Sequence, residues 1–248
     1  MKIIAVVPAY NESQTISQVV RDLKNEVNQV IVVDDGSADA TAELAKNEGA
    51  VVLQHFLNRG QGAALQTGIE HALLEDADII ITFDSDGQHD AADIKKLIAP
   101  LLLGENDVVL GSRFIKMQNA QPKADPMPEA GAAPRAEKFK MQNLGMPFLK
   151  PFFLKMALWF DRLRTGLNIS DTHNGLRAFS RVAAAKIKIT QDGMAHASEI
   201  LDQISQLKLK YLEVPVQIKY TEYSKQKGQR LSNSWKIIWD LLVSRILK

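Results

Sequence analysis

Short apolar runs alternate with stretches of helical spacing along the first half of the chain. The runs have the length of buried strands and occupy residues 3–7, 30–33, 50–53, 79–83 and 108–110. Between the first two runs, apolar residues recur every three or four positions, as on one face of a helix. Strands that alternate with helices favour βαβ units and right-handed crossovers. The pattern therefore predicts an α/β fold with a Rossmann-like, mainly parallel mixed sheet flanked by helices.

Polar clusters follow four of these predicted strands. They occupy residues 8–12, 34–35, 84–88 and 111–113. In parallel α/β sheets, ligands bind outside the carboxyl ends of the strands. The coincidence of polar residues with strand ends therefore predicts a binding site at that edge.

Two carboxylates, Asp84 and Asp86, end the apolar run at residues 79–83. They repel each other and lose solvation there, and a divalent cation would compensate for both effects. Carboxylate oxygens suit Mg²⁺ or Mn²⁺, and Gln88 could add a neutral oxygen. A polar turn with helix-capping aspartates is the alternative.

Composition narrows the function classes. The 248 residues are 46% hydrophobic and 24% charged, as in ordinary globular proteins, and the net charge of +1 argues against a nucleic-acid binder. The absence of cysteine excludes disulfides and thiolate chemistry and fits a reducing compartment. No apolar run reaches the roughly 20 residues of a membrane-spanning helix. We expect a cytoplasmic protein, or one bound peripherally to the cytoplasmic face of a membrane.

The second half of the chain has weaker patterns. Residues 116–147 are rich in proline and predict a long mobile loop, which is either a lid or an inert insertion. Residues 211–218 predict a strand that Pro215 confines to an edge or a bulge. Residues 231–248 predict an amphipathic helix that packs on the protein or lies on a bilayer. We expect one catalytic domain over residues 1–230, followed by this helix.

Several of these polar segments occur as ordered motifs. They are Val7-Pro8-Ala9-Tyr10-Asn11-Glu12, Val33-Asp34-Asp35-Gly36-Ser37, Asn58-Arg59-Gly60, Asp84-Ser85-Asp86, Gly111-Ser112-Arg113, Gly175-Leu176-Arg177-Ala178-Phe179 and Glu213-Val214-Pro215-Val216. In this order they resemble the family 2 glycosyltransferases of the GT-A fold. The resemblance is closest to the dolichyl- or polyprenyl-phosphate sugar synthases, such as the mannose synthases.

The resemblance implies roles for particular residues. The nucleoside pocket would be lined by Pro8, Tyr10 and Glu12, and the base or ribose would be contacted by Val33 and Asp35. The metal and the donor diphosphate would be held at Asp84, Ser85, Asp86 and Gln88. Phosphate charge would be neutralised by Arg113, with help from Lys225 and Lys227.

The resemblance also implies an inverting transfer of a sugar from a GDP-, UDP- or dTDP-sugar to a polyprenyl phosphate. The alternative acceptor is a glycan or another hydroxyl, which would need a carboxylate base, either Asp171 or Glu199. A lipid phosphate is already ionised and needs no strong base, and Arg177 or Arg113 would hold it. A nucleotidyltransferase is disfavoured because no glycine-rich phosphate loop follows the first strand. A catalytically inactive binding module is weakly disfavoured by the intact pair of Asp84 and Asp86.

Overall fold

The structure is a computed structural model, and it describes residues 1–115, 162 and 165–219. Within these residues, the strands form one seven-stranded sheet. The strands are β1 (Ile3–Ala9), β2 (Gln29–Asp34), β3 (Val51–Gln54), β4 (Ile79–Thr82), β5 (Val108–Ser112), β6 (Arg177–Ser180) and β7 (Tyr211–Pro215). The helices are α1 (Ile16–Lys24), α2 (Thr41–Asn47), α3 (Gln61–Leu74), α4 (Ile94–Leu102), α5 (Arg181–Lys186) and α6 (His196–Gln206).

The strand order is β3-β2-β1-β4-β6-β5-β7, and each neighbouring pair is parallel except the two pairs that involve β6. The predicted mixed, mainly parallel sheet is thus confirmed. The reversal of β6 was not predicted. It brings the first residue of β6, Arg177, to the edge where the parallel strands end. Pro215 ends β7, which is an edge strand as expected.

The core has two layers because alternate strand residues point to opposite faces of the sheet. Ala5 and Val7 of β1 belong to the apolar cluster that contains the buried residues of α1 and α4. Ile4 and Val6 belong to the cluster on the other face, with α3, α5 and α6. Helix α1 shows the expected stripe, with Ile16, Val19, Val20 and Leu23 buried. The sheet is therefore buried between two layers of helices.

Three predictions lie outside the described residues: the loop at 116–147, the basic residues Lys225 and Lys227, and the terminal helix at 231–248. Within the residues that are described, no helix combines the length and the apolar character needed to cross a bilayer.

Candidate active site

The polar ends of β1, β2 and β4 meet at one edge of the sheet. These strands are parallel neighbours, with β1 paired to β2 on one side and to β4 on the other. The chain first adds strands beyond β2 and then moves to the other side of β1, so the strand order reverses between β1 and β4. Ligands of open α/β sheets bind at such a reversal.

Asp84 and Asp86 follow β4 at this edge. Asp84 accepts a hydrogen bond from Gln61 Nε2 at 3.0 Å, and its other oxygen lies 3.1 Å from His89 Nε2. Asp86 accepts hydrogen bonds from Gln88, through the backbone N at 3.0 Å and through Nε2 at 2.7 Å. Gln88 therefore orients Asp86 in this structure.

The two carboxylates differ in acidity. Burial raises the pKa of Asp86 to about 6, and the negative charge of Asp84 contributes. Burial would also raise the pKa of Asp84, but the hydrogen bond and charge of His89, with the charge of Arg177, hold it below its ordinary value. Like charges at one partly buried site favour a bound cation.

The donor set fits Mg²⁺ or Mn²⁺. In the part of the chain that the structure describes, no group of three or more His, Cys, Asp or Glu side chains is arranged to hold a metal. Mg²⁺, however, is usually bound by one or two carboxylates together with substrate phosphates. Asp84 and Asp86 provide such a pair, and the pKa of Asp86 is raised by burial and by the charge of Asp84, both of which a bound cation would offset.

Gly175 fixes the position of Asp84 by its lack of a side chain. A Cβ atom at Gly175 would overlap the carboxylate of Asp84. The carbonyl of Gly175 also accepts a hydrogen bond from Thr82 Oγ1 at 2.7 Å, which ties this residue to β4. The segment before β6 thus packs directly against the candidate metal ligand.

Asp35 organises the loop between β3 and α3. Its carboxylate accepts hydrogen bonds from Arg59 N at 2.9 Å and Gly60 N at 2.7 Å, and it lies 2.7 Å from His55 Nδ1. The next residue, Gln61, donates to Asp84. Asp35 is therefore connected to the site through the loop, and this internal hydrogen bonding speaks against its direct contact with a base or ribose.

The glycine-bearing loop does not offer its amides to a phosphate. Gly62 N and Ala63 N donate to the carbonyl of Asp192. A Cβ atom at Gly60 or Gly62 would overlap backbone oxygens of residues 191–192, and Gly60 has a φ of 105°. The glycines allow this close backbone approach at the start of α3.

Replacing Asp35 with asparagine is expected to destabilise the protein by about 1–3 kcal/mol, because a buried acceptor of three hydrogen bonds loses its charge and one oxygen. The free energy of unfolding in urea measures this loss. Asp76→Asn is the matched control, since the side chain of Asp76 is 88% exposed. Equal stability of Asp35→Asn and Asp76→Asn would contradict the role given to Asp35.

The residues expected to line the nucleoside pocket differ in exposure. Tyr10 is 46% exposed next to the end of β1, whereas Pro8 is buried and Glu12 is 7% exposed. Glu12 lies near enough to Asp86 for its charge to raise the pKa of that residue. Ser85 is buried between the two aspartates.

The prediction for Val33 is wrong. Val33 has no exposed surface and belongs to the core cluster with Val6 and Ile31. An apolar residue near the end of a strand can face the core or the edge, and the alternation of β2 points Val33 inward. It therefore supports the sheet and does not contact a ligand.

Arg113 and Asp171 form a bidentate ion pair. Arg113 Nε and Nη2 each donate to Asp171 at 2.7 Å, and Arg113 N donates at 3.1 Å. Burial would raise the pKa of Asp171, but the paired guanidinium holds the pKa below its ordinary value. Asp171 is thus a weak base whose oxygens orient Arg113.

The structure also bears on two other predicted roles. Glu199 accepts hydrogen bonds from Thr190 N and Gln191 N, so its carboxylate holds the loop before α6 and is not placed as a general base. Arg177 is 3% exposed, and its Nη1 has no partner among the described residues. At this depth Arg177 acts on Asp84 and Asp171 through its charge.

Two further residues complete the site. Gln61 and His89 hold Asp84 from opposite sides, and His89 also makes an edge-on contact with Phe83. Gln61 is the first residue of α3 and directly follows the motif Asn58-Arg59-Gly60, which was its one signal in the sequence.

The chain after β7 returns to the loop that follows β4. Lys219 N donates to Gln88 O at 2.8 Å, and Gln217 N donates to Asp93 Oδ2 at 2.7 Å. Lys219 Nζ lies 2.9 Å from Asp90 Oδ2. The last described residues are therefore anchored beside the candidate metal ligands.

Comparisons with known proteins agree with this geometry. The family model described as Glycosyl transferase family 2 matches residues 4–187. An uncharacterised protein of Methanocaldococcus jannaschii is 38% identical over 99% of this chain and 93% of its own length. The UDP-N-acetylglucosamine–dolichyl-phosphate N-acetylglucosaminyltransferase of Methanococcus voltae is 33% identical over 99% of this chain and 97% of its own.

A solved structure shows the same fold. Glucosyl-3-phosphoglycerate synthase from Mycobacterium tuberculosis, in complex with phosphoglyceric acid, superposes with a TM-score of 0.70 at 21% identity. The match covers 98% of this chain and 79% of that one. Other structures of that enzyme contain UDP with Mg²⁺ or with Mn²⁺.

Proposed function

The chain belongs to glycosyl transferase family 2, and we propose that it transfers a sugar from a nucleotide-sugar donor to a polyprenyl phosphate, with inversion at the anomeric carbon. A UDP-sugar is the first donor to test, because the relative from Methanococcus voltae is named for UDP-N-acetylglucosamine and dolichyl phosphate. The acceptor lipid would place the reaction at the cytoplasmic face of a membrane.

One observation favours a phosphate over a hydroxyl as the acceptor. Both carboxylates predicted as general bases are engaged, Asp171 with Arg113 and Glu199 with the loop before α6. A hydroxyl needs a base to remove its proton. A phosphate monoester has a second pKa near 6 and is largely ionised at neutral pH. An acceptor of this kind can react without Asp171 or Glu199 acting as a base.

The proposed reaction is a single displacement. An oxygen of the acceptor phosphate attacks the anomeric carbon, and the bond from that carbon to the nucleoside diphosphate breaks. The bonding electrons remain on the leaving diphosphate, so negative charge develops there. Arg113, oriented by Asp171, supplies positive charge at the same edge of the sheet. A divalent cation held by Asp84 and Asp86 would supply further neutralisation of the diphosphate.

The donor would lie along the ends of β1, β2 and β4. We assign the nucleoside to the surface around Tyr10 and Glu12, and the diphosphate to Asp84 and Asp86. Tyr10 is 46% exposed beside the end of β1, and the charge of Glu12 acts on Asp86. This assignment keeps the donor on one continuous edge.

Radiolabelled UDP-N-acetylglucosamine, offered with Mn²⁺ and either undecaprenyl phosphate or undecaprenol in detergent, tests the proposal. The two lipids differ in the phosphate, so the pair isolates the nature of the acceptor group. We expect label in the organic phase with undecaprenyl phosphate and none with undecaprenol. A parallel series with labelled GDP- and dTDP-sugars covers the other donors. Transfer to undecaprenol, or label confined to water-soluble glycan with every donor, would contradict the phosphate acceptor.

A further inference from the structure

We propose that Glu213 is a positioning residue: from the edge strand β7 it holds the main chain at Ser170 and Asp171, and so sets the position of the Arg113–Asp171 pair. Its effect on catalysis rests on the proposed function, in which Arg113 meets a substrate phosphate. Its effect on the main chain does not depend on that function.

The contacts of Glu213 are directed at two backbone amides. Ser170 N lies 2.9 Å from both carboxylate oxygens of Glu213, and Asp171 N donates to Oε1 at 3.2 Å. Glu213 pairs with Leu110 across β5 and β7, three residues before Arg113. Glu213 thus lies beside β5, the strand that leads to Arg113, and its side chain holds the backbone of Asp171, the carboxylate partner of Arg113.

Tyr211 contacts the same segment two residues before Ser170, at Asn168. Tyr211 and Glu213 are two residues apart in β7 and therefore point to the same face of the sheet. The hydroxyl of Tyr211 accepts a hydrogen bond from Asn168 N at 2.8 Å. Between these contacts, Ile169 is fully buried in the core. In the segment 168–171, the backbone amides of Asn168, Ser170 and Asp171 are therefore held by hydrogen bonds, and Ile169 is held by apolar packing.

The opposite side of this segment is fixed by β5. Ser170 Oγ lies 2.6 Å from Ser112 Oγ, and Ser112 Oγ accepts a hydrogen bond from Phe114 N at 3.1 Å. Arg113 then pairs with Asp171. With Ser112 on one side and Glu213 on the other, the carboxylate of Asp171 has little freedom to shift relative to Arg113.

A carboxylate at this position is costly for stability. Burial raises the pKa of Glu213 to about 7, against the opposing effect of the hydrogen bonds from Ser170 and Asp171. Glutamine would avoid the burial of charge, but its amide nitrogen would face backbone N–H groups that need an acceptor. The carboxylate is suited to this position because both of its oxygens accept.

Three variants test the role of Glu213. Glu213→Gln keeps the shape and removes one acceptor, and Glu213→Asp keeps the carboxylate on a shorter side chain. Tyr211→Phe is the matched control, which loses the hydroxyl that accepts from Asn168 N and keeps Glu213. The measurements are amide hydrogen exchange at residues 168–171, kcat and KM for undecaprenyl phosphate, and the affinity for UDP with Mn²⁺.

We expect Glu213→Gln to accelerate exchange at Ser170 and Asp171 and to lower kcat/KM for the acceptor at least tenfold. The affinity for UDP with Mn²⁺ should fall as well, because Arg113 acts on the donor diphosphate. Glu213→Asp should recover part of this loss, and Tyr211→Phe should accelerate exchange at Asn168 with kinetics within twofold of wild type. Two results would overturn the proposal: unchanged exchange at Ser170 and Asp171, or wild-type kinetics and UDP affinity despite faster exchange. A wild-type protein without transfer activity would instead refute the proposed function, and the exchange data would still decide whether Glu213 holds the segment.

Discussion

Replacing Asp86 with alanine is expected to lower sugar transfer by about a hundred- to a thousandfold or more, while the fold is retained. Asp86 is one of the two carboxylates that fit a divalent cation at the end of β4, and without it the cation that would help to neutralise the leaving diphosphate is no longer held in place. Transfer of label from the nucleotide sugar at saturating Mn²⁺ measures the loss. Circular dichroism and thermal unfolding confirm that the fold persists.

The stability of an Asp86→Asn variant separates this site role from a structural one. The pKa of Asp86 is raised to about 6 from 3.8, so its ionised form is disfavoured in the folded protein. In metal-free buffer the resulting destabilisation is absent below pH 4, grows as the pH rises to 6, and is complete above 6. Asp86→Asn should therefore unfold at a higher temperature than wild type at pH 8, by about 2–4 °C for each 1 kcal/mol. Asp76→Asn serves as the exposed control, and a lower unfolding temperature for Asp86→Asn would mean that Asp86 supports the fold.

Replacing Gly175 with alanine is expected to lower transfer about a hundredfold, the effect of a displacement of about 1 Å in a catalytic group. The added methyl group would overlap the carboxylate of Asp84, which is already held by Gln61 and His89. Because the Gly175 backbone does not have a positive φ, alanine is acceptable to the backbone itself. The loss should therefore come from displacement of Asp84, and the apparent affinity for Mn²⁺ should fall with the rate.

Gly193→Ala is the matched control for this substitution, because no atom of the described residues lies within 4 Å of a Cβ atom at Gly193. We expect this variant to transfer sugar at the wild-type rate. If Gly175→Ala retained both wild-type activity and wild-type dependence on Mn²⁺, the close packing of Gly175 against Asp84 would have no functional consequence.

The parts of the site that lie at strand ends could be predicted from the sequence. Asp84 and Asp86 stand out because two carboxylates directly follow an apolar run, and this local signal does not depend on the rest of the chain. Parallel strands then place these residues on the same edge as Glu12 and Asp35. The fold class was predictable for the same reason, since the alternation of strands and helices is visible in short windows.

The pairing of side chains could not be predicted in this way. Arg113 and Asp171 are 58 residues apart, and their ion pair depends on the reversal of β6, which has no sequence signature of its own. Glu213 was noted as part of a motif, but the groups that donate hydrogen bonds to it are backbone amides more than 40 residues away. Glu199 was predicted as a base from its residue type, and its engagement with Thr190 and Gln191 depends on the local course of the chain.

Strand ends could be predicted and side-chain pairings could not, for a physical reason. Burial and alternation act on each strand separately, so they can be inferred from residue types alone. Hydrogen bonds between distant segments depend on register and on loop course, and several of them decide which acidic residue is free to act. Here they occupy Asp171 and Glu199, which favours the expected phosphate acceptor over the alternative hydroxyl acceptor.

Nucleotide binding measured by thermal unfolding tests most directly whether the carboxylates at the strand ends hold a cation that binds the donor diphosphate. UDP, GDP and dTDP are each added with Mn²⁺ and with EDTA to the wild-type protein and to Asp86→Ala. The account predicts that at least one nucleotide stabilises the wild type, by about 2.7 kcal/mol at a hundredfold excess over Kd. It also predicts that EDTA and Asp86→Ala each abolish this effect. Equal stabilisation by the nucleotide in EDTA, or in Asp86→Ala, would contradict it.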